Sequence, residues 1–527
     1  MGQKASAGAI GGVFSPACTK NFSTIMKGEK LIMSIDQGTT SSRALLINKN
    51  LEVVGVHQES HSQVTENPGW VSHNPMEIYK NVEKCIYEVM NKHSIDKSQI
   101  QAVGITNQRE TTVAWDKNTG EPLHDAIVWL DKRNEKIVED LISTHGVDSF
   151  RQTTGLPIAT YFSATKMRWM LDNSTEVKKA EDEGRLCFGT IDSWLTYCLT
   201  GGEKYLTDAT NASRTMLMDL ETLSWNKGML EIFDIKQECL PQIIPESSAD
   251  FGIISQSDFS GVPITGIIGD QQSACLGHTL KKGEIKSTYG TGCFILMNSG
   301  TKPIHSKNGL LTTVMYKLSE DSPTNYALEG ASECGGVTIE WAKNNLGLFK
   351  DFQEFDHLLS SVEDSGGVYF VPAFSGLFSP YWRNDVRGTI LGMSLHTHRG
   401  HILKALTDSI FIRCSEIIKA MEQDCEGAIE IQKVMVDGGV TKNSGLMQTQ
   451  ADLLDKTVVT KKEQEITAIG AGIAAGLKVG MWENSSSGDF PITIPDAQKF
   501  TPSISNAKRA EITEKWSDAI DRSLGWA

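Results

Sequence analysis

The sequence lacks the marks of several large protein classes. Its 527 residues contain no CxxC pair and no Cys/His cluster at zinc spacing. The ten cysteines, Cys18, Cys85, Cys187, Cys198, Cys239, Cys275, Cys293, Cys334, Cys414 and Cys425, are scattered. That excludes a zinc ribbon and a disulfide framework and fits free thiols in a reducing, cytoplasmic compartment. No uncharged apolar run approaches the roughly 20 residues of a membrane span. The longest candidate, 466–477, is short and rich in Ala and Gly, so no stable membrane insertion is expected. Positive charge is in deficit: 50 Lys and Arg against 65 Asp and Glu leave a net charge of −15. No basic stretch compensates, which argues against a nucleic-acid partner. There is no GxxxxGK[ST] phosphate loop, and neither HRD nor VAIK accompanies Asp250-Phe251-Gly252, so that DFG is a chance match.

What is present is a globular chain, 39% hydrophobic and 22% charged, too long for one hydrophobic core. Residues 1–28 are Gly/Ser/Ala-rich without a period and read as a disordered extension. They begin Met1-Gly2-Gln3-Lys4-Ala5-Ser6, which fits the M-G-x-x-x-[ST] myristoylation pattern at Gly2. The pattern is short and often matches by chance, so an unmodified extension is the favoured reading, and one acyl chain would tether only weakly.

Residues 31–48, LIMSIDQGTTSSRALLIN, carry the first chemical signal. An apolar run ends in Asp36, a turn of Gly38, Thr39, Thr40, Ser41 and Ser42 follows, and Arg43 opens a second apolar run. This reads as a β-hairpin whose tip offers backbone N–H groups, hydroxyls and a guanidinium to phosphate, with Asp36 a hard oxygen ligand for Mg²⁺. An ordinary solvated turn is the competing reading. Residues 51–60 read as a third strand, 75–91 as a helix with Ile78, Val82, Ile86 and Val89 on one face, and 100–106 as a strand. A mixed sheet covered by helices follows from that order.

A second run of the same design starts at Gly283: a strand, the turn Gly290-Thr291-Gly292, and another strand. Short strands at 311–317 and 325–329, a helix through Trp341, a buried strand at 368–372, a long helix at 401–421 and a strand at 434–439 follow. Each half thus opens on a hairpin with a Gly/hydroxyl tip, an internal repeat of design rather than of residue identity. If the halves face each other, the first two tips clamp phosphates from opposite sides, and the turn 437–443 approaches a nucleoside.

Two further stretches point to an alcohol substrate. In GIIGDQQSACLG, Asp270 ends an apolar run, where it serves either as a general base or as a helix cap. Arg109 and Glu110 end the strand IQAVGIT and offer donors and an acceptor to neighbouring hydroxyls; a surface ion pair is the alternative. Gly470-Ala471-Gly472-Ile473-Ala474-Ala475 matches GxGxxA, but its small residues read better as close helix packing than as a dinucleotide loop. His396, His398 and His401 read as a solvated helix start.

The stretches SIDQGTTSSR, GITNQRETTVAWD, AIVWLDKR, TYFSATKMRWMLDN, GTIDSWLTYCLTGG, TDATNASRTMLMDL, GDQQSACLG, STYGTGCF, YALEG, FVPAFSGLFSPYW and VDGGVTKNSGLMQ together resemble the FGGY carbohydrate kinase family from Leu31 to the C-terminus. The resemblance is strongest to its glycerol-phosphorylating members. It implies an α/β, two-domain actin-like ATPase fold, of ribonuclease H type, with an interdomain cleft. The expected division is 29–276 for glycerol and phosphate and 277–527 for the nucleotide. It implies ATP and Mg²⁺ as cofactors, glycerol as substrate and a homodimer or homotetramer. By position, Thr39, Thr40, Ser41 and Arg43 would meet the phosphates, and Thr291, Gly336, Gly439 and Asn443 would line the rest of the nucleotide site. Arg109, Glu110, Tyr161, Asp270 and Gln271 would hydrogen-bond glycerol, and Trp129 and Phe294 would wall its carbons. Asp270 would be the catalytic base, and Asp36 would lie near Mg²⁺, through water.

Three departures stand out. Glu340 occupies a position near the adenine where the family often has Gln. Thr407 replaces an apolar residue in the second family signature. Residues 251–261 lack the Gly/Arg pattern of members inhibited by fructose 1,6-bisphosphate. Sugar kinases for xylulose or gluconate are the nearest rival reading, and nucleotide-gated actin-like scaffolds a more distant one. Arg109-Glu110 with Trp129 favours glycerol over the former, and Asp270 argues against the latter.

Overall fold

The computed structural model describes residues 25–255, 259–290, 292–332, 334–374, 376–483 and 493–526. The expected disorder of the leader and the acylation pattern at Gly2 fall on 1–24, outside the described residues, as does Thr291.

The first hairpin forms where expected. Strands β1 (Leu31–Gln37) and β2 (Ser41–Ile47) pair antiparallel, with Asp36 opposite Arg43 and Gln37 opposite Ser42 at the turn end of the ladder. β3 (Val53–Ser60) continues the meander. Helix α1 (Pro75–His93) starts at Asn74, whose side chain accepts the Met76 and Glu77 N–H groups, and has Pro at its first position. It buries Ile78, Val82, Ile86 and Val89. β4 (Ile100–Asn107) then pairs parallel to β1, and β5 (Ile264–Gly269) parallel to β4, giving the order β5-β4-β1-β2-β3. α2 (Asp270–Gly277) follows β5 directly.

The second half repeats this plan. β6 (Ile285–Tyr289) and β7 (Cys293–Gly300) form its hairpin, joined by β8 (Leu311–Tyr316) and β9 (Asn325–Ser332). α3 (Gly336–Asn344) and α4 (Arg399–Asp424) precede β10 (Lys433–Gly438), which pairs parallel to β6. α5 (Ser444–Leu454), β11 (Thr457–Lys461), α6 (Ile466–Lys478) and β12 (Asp496–Phe500) complete it. The sheet order is β8-β9-β7-β6-β10-β11-β12. Within it, β11-β10-β6-β7-β9 matches β5-β4-β1-β2-β3 in both order and direction. The repeat inferred from two hairpins therefore extends to five strands.

Each half has its own apolar core, and a third core joins them, drawing Ile32, Leu45 and Ile268 from one sheet and Leu296, Met435 and Val459 from the other. α6 lies at that junction. In sequence it lies between β11 and β12 of the second sheet, but it packs on α2 and on β1, β4 and β5 of the first. Close approach needs small residues: a Cβ on Gly470 would stand 1.8 Å from the Ser273 carbonyl oxygen, and one on Gly104 would stand 2.2 Å from that of Ala471. Ser34 Oγ and Ser273 Oγ donate to the Ala468 and Thr467 carbonyls at 2.7 and 2.6 Å. The GxGxxA stretch is thus a packing face, as its composition suggested.

The region between β4 and β5 adds a layer of its own, contributing Thr112–Asp116, Pro122–Ile127 and Leu186–Gly189 to a separate antiparallel sheet completed by Ser72–His73, with helices around it. One expectation needs correction: the histidine cluster is not fully solvated, since His401 is buried, and its ring centroid lies 4.1 Å from that of His398 at the start of α4. Among the described residues no helix is long and apolar enough to cross a membrane.

Candidate active site

The residues that follow β4 and β5 meet β6 and β9 of the second half at a buried chain of alternating charges. Arg109 and Glu110 follow β4 and are 2% and 1% exposed, so they are not a surface ion pair. Arg109 grips Glu329 of β9 with both terminal nitrogens, at 2.8 and 2.7 Å. Its Nε lies 3.2 Å from Asp270 Oδ1, and Nη1 also donates to Gln272 Oε1 at 3.2 Å. Arg214 continues the chain, donating from Nε to Glu110 at 2.6 Å with Nη2 3.3 Å from Glu329. The order Asp270–Arg109–Glu329–Arg214–Glu110 places each buried cation between carboxylates, which offsets the several kcal/mol that burying an unpaired charge costs. Glu110 is held at φ +60°, a left-handed conformation uncommon for a non-glycine residue and frequent at functional sites.

Asp270 is the first residue of α2, with its side chain 26% exposed and Oδ1 accepting the Gln271 N–H at 2.7 Å. Burial pushes its carboxyl up to about 6, against the pull of Arg109. Glu329 behaves oppositely: burial favours its neutral form, but Arg109 and Arg214 outweigh that and hold it down at about 2. Gln271 gives its amide oxygen to Lys286 of β6, whose ammonium also donates to Thr288 Oγ1 at 2.9 Å.

Three aromatic rings close the same space. Trp129 meets Tyr161 and Phe294 edge-on, with centroids 5.6 and 5.8 Å apart. Arg214 lies over the Tyr161 ring at 5.6 Å. Trp129 Nε1 donates to Thr39 Oγ1 at 3.0 Å. One side chain therefore touches both the first turn and, through Phe294, the strand leaving the second.

The first tip is braced from below. Arg43 bonds Asp36 and donates to Glu465 at 2.6 Å, so its charge is already shared between two carboxylates. His61 Nε2 donates to the Thr39 carbonyl at 2.9 Å, and its backbone N–H to that of Thr40 at 3.2 Å. At the second tip, the Gly290 N–H donates to Gly292, and the Gly336 N–H, at the start of α3, donates to Gly290 at 2.8 Å. Gly439 opens a short turn after β10. Asn443 caps α5 by accepting the Leu446 N–H at 3.0 Å and donates to Asp356 at 2.6 Å. A groove of about 410 Å³ opens beside it, lined in part by Ser360, Lys404, Thr407 and Lys442. Thr407 is buried and donates to the Lys404 carbonyl at 2.9 Å, which satisfies the hydroxyl that replaces an apolar group. Glu340 sits half-buried on α3.

Arg214, Lys286, Gln272 and Glu329 had no role in the sequence reading. The available signal for Lys286 and Glu329 was a lone charge inside an apolar strand, IKSTY and NYALEGAS, because unpaired charges are rarely buried.

Two duplicated α/β halves, each opening on a Gly-turn hairpin, define an actin-like, two-domain nucleotide-cleft fold. Residues 31–277 match the N-terminal domain of the FGGY family of carbohydrate kinases, and 285–479 match its C-terminal domain. The chain belongs to the FGGY family of carbohydrate kinases. It is 44% identical over 502 residues to a glycerol kinase of Clavibacter michiganensis subsp. michiganensis, covering 94% of this chain and 98% of that one. It is 45% identical over 501 residues to that of Brucella anthropi, covering 94% and 99%. Among solved structures, glycerol kinase of Plasmodium falciparum with ADP superposes with a TM-score of 0.85 at 38% identity, over 94% of this chain and 98% of that one. A gluconate kinase from Lactobacillus acidophilus shares the fold at 22% identity, TM-score 0.80, over 94% and 97%.

Proposed function

We propose that the chain transfers the γ-phosphoryl group of ATP to a terminal hydroxyl of glycerol, giving sn-glycerol 3-phosphate. The observation that carries this reading is Asp270, a partly exposed carboxylate between Arg109 and Gln271, joined through the buried charge chain to Arg214 over the Tyr161 ring. Arg109, Glu110, Tyr161 and Gln271 supply the donors and acceptors for the polyol. Trp129 and Phe294 cover its carbons and, with the halves closed, exclude water that would otherwise accept the phosphoryl group.

The attacking hydroxyl gives its proton to Asp270 as its oxygen moves in line on the γ-phosphorus. Thr39, Thr40 and Ser41 from the first half and Thr291 from the second hold the phosphates with hydroxyls and backbone N–H groups. Gly336, Gly439 and Asn443 border the adenosine. Arg43 adds positive charge at the first tip, though Asp36 and Glu465 already share it. Asp36 is a hard oxygen donor with one face taken by Arg43, so it suits a nucleotide-borne Mg²⁺ held through water. When bound, that cation would neutralise charge on the β- and γ-phosphates. The halves divide between 276 and 277, and the assembly is a homodimer or homotetramer.

The test is Asp270→Asn. Glycerol-dependent ADP release should fall by about 10²-fold or more while ATP binding persists. In the wild type only the carboxylate accepts a proton, and burial holds the acid up to about 6. The rate should therefore fall as pH drops through about 6, a limb the variant lacks. Near-normal turnover in the variant, or faster turnover of xylulose than of glycerol, would overturn the proposal.

A further inference from the structure

Both hydrogen-bonding ends of the polyol pocket are anchored from the opposite half of the molecule. Arg109 and Gln271 belong to the first half. Their partners, Glu329 and Lys286, stand on β9 and β6 of the second, and both are fully buried. These contacts decide what the pocket presents. An ammonium only donates, so Gln271 must turn its oxygen to Lys286, which leaves its NH₂ as the end available to a ligand. Glu329 takes one proton from each terminal nitrogen of Arg109, Gln272 takes another from Nη1, and Nε faces Asp270. One Nη2 proton is left without a protein acceptor among the described residues. Both partner strands also run directly into nucleotide turns: β6 ends at Tyr289, next to Gly290, and β9 ends at Ser332, shortly before Gly336.

We propose that Glu329 and Lys286 are positioning residues for the alcohol. They hold Arg109 and Gln271 in their donor orientations from the opposite half of the molecule, so the alcohol's hydrogen-bonding groups depend on two side chains that do not touch it. The inference rests on the reading of Arg109 and Gln271 as glycerol contacts.

Glu329→Gln, Glu329→Asp, Lys286→Met and Arg109→Lys are compared with the wild type in steady-state kinetics, and glycerol affinity is also measured directly by equilibrium binding. Loss of a charge-assisted anchor should raise the glycerol KM about tenfold or more in Glu329→Gln and Lys286→Met. The ATP KM should move less than about twofold, because neither side chain meets the nucleotide. Glu329→Asp, which keeps the charge, should recover part of the glycerol effect. A merely structural role would lower the amount of active enzyme without separating the two KM values. Should Glu329→Gln fail to fold, Lys286→Met decides alone, since it leaves the arginine–carboxylate chain intact. Folded Lys286→Met with an unchanged glycerol KM overturns the proposal. Arg109→Lys separates the two layers: if it too leaves the glycerol KM unchanged, the glycerol-site reading itself falls.

Discussion

The two hairpin tips share a strand plan and differ in almost everything around them. The first rests on polar support: Asp36 and Arg43 face each other across the ladder, Glu465 completes the cluster, and His61 holds the Thr39 and Thr40 carbonyls. The second rests on a packed, nearly apolar base, where Tyr289 faces Cys293 across the ladder and its hydroxyl receives a hydrogen bond from Gln450. Its turn is pressed by backbone from two sides, Gly336 and Gly438. A duplicated scaffold thus supplies position, while the local surroundings decide whether a tip offers charge and hydroxyls or a rigid backbone edge. The layers inserted between repeated strands add the substrate chemistry. Glu110, Trp129, Tyr161 and Arg214 all come from the segment between β4 and β5.

The comparison breaks most visibly at glycine. Gly438 has φ +94° and ψ 174°, a region essentially reserved for glycine, and a Cβ there would stand 2.2 Å from the Tyr289 carbonyl oxygen. Gly438→Ala should cost about 3 kcal/mol or more, read as a lower denaturant midpoint. A middle-sized effect tests the link between the tips. Trp129→Phe keeps a ring against Phe294 but loses the donor to Thr39, and should lower kcat/KM for glycerol about five- to tenfold with folding unchanged. An effect on ATP binding alone would mean that the indole serves only the phosphate turn. The smallest effect belongs to the first tip. A Cβ on Gly38 would approach nothing closer than the Ser41 carbonyl oxygen at 3.6 Å, so Gly38→Ala should change stability by about 0.5 kcal/mol or less. Equal losses at Gly38 and Gly438 would show that the tips are equally constrained.

Legibility followed the range of the interactions. The hairpins were readable because β-pairing across a short Gly turn is local, and α1 because its apolar spacing and Asn74-Pro75 start are local too. The small-residue face of α6 was readable as close packing, but not its target, since Gly104 and Ser273 lie far away in sequence. The inserted antiparallel sheet was missed because Ser72–His73 and Leu186–Gly189 reach it from opposite ends of a long segment. Arg109, Glu110 and Asp270 drew notice as charges at strand ends. Glu329 and Arg214 did not, because a single charge in an apolar run carries no address for its partner.

The order of residues by itself settled the two hairpins, their polar tips and the carboxylate at the end of β5, because each depends on neighbours a few positions apart. Only the folded chain decided which charges pair. Arg109 meets Glu329 across 220 positions of sequence and Lys286 meets Gln271 between the two halves. Such contacts exist only once two separate sheets have been brought together around α2 and α6, where burial leaves each charge no water to fall back on.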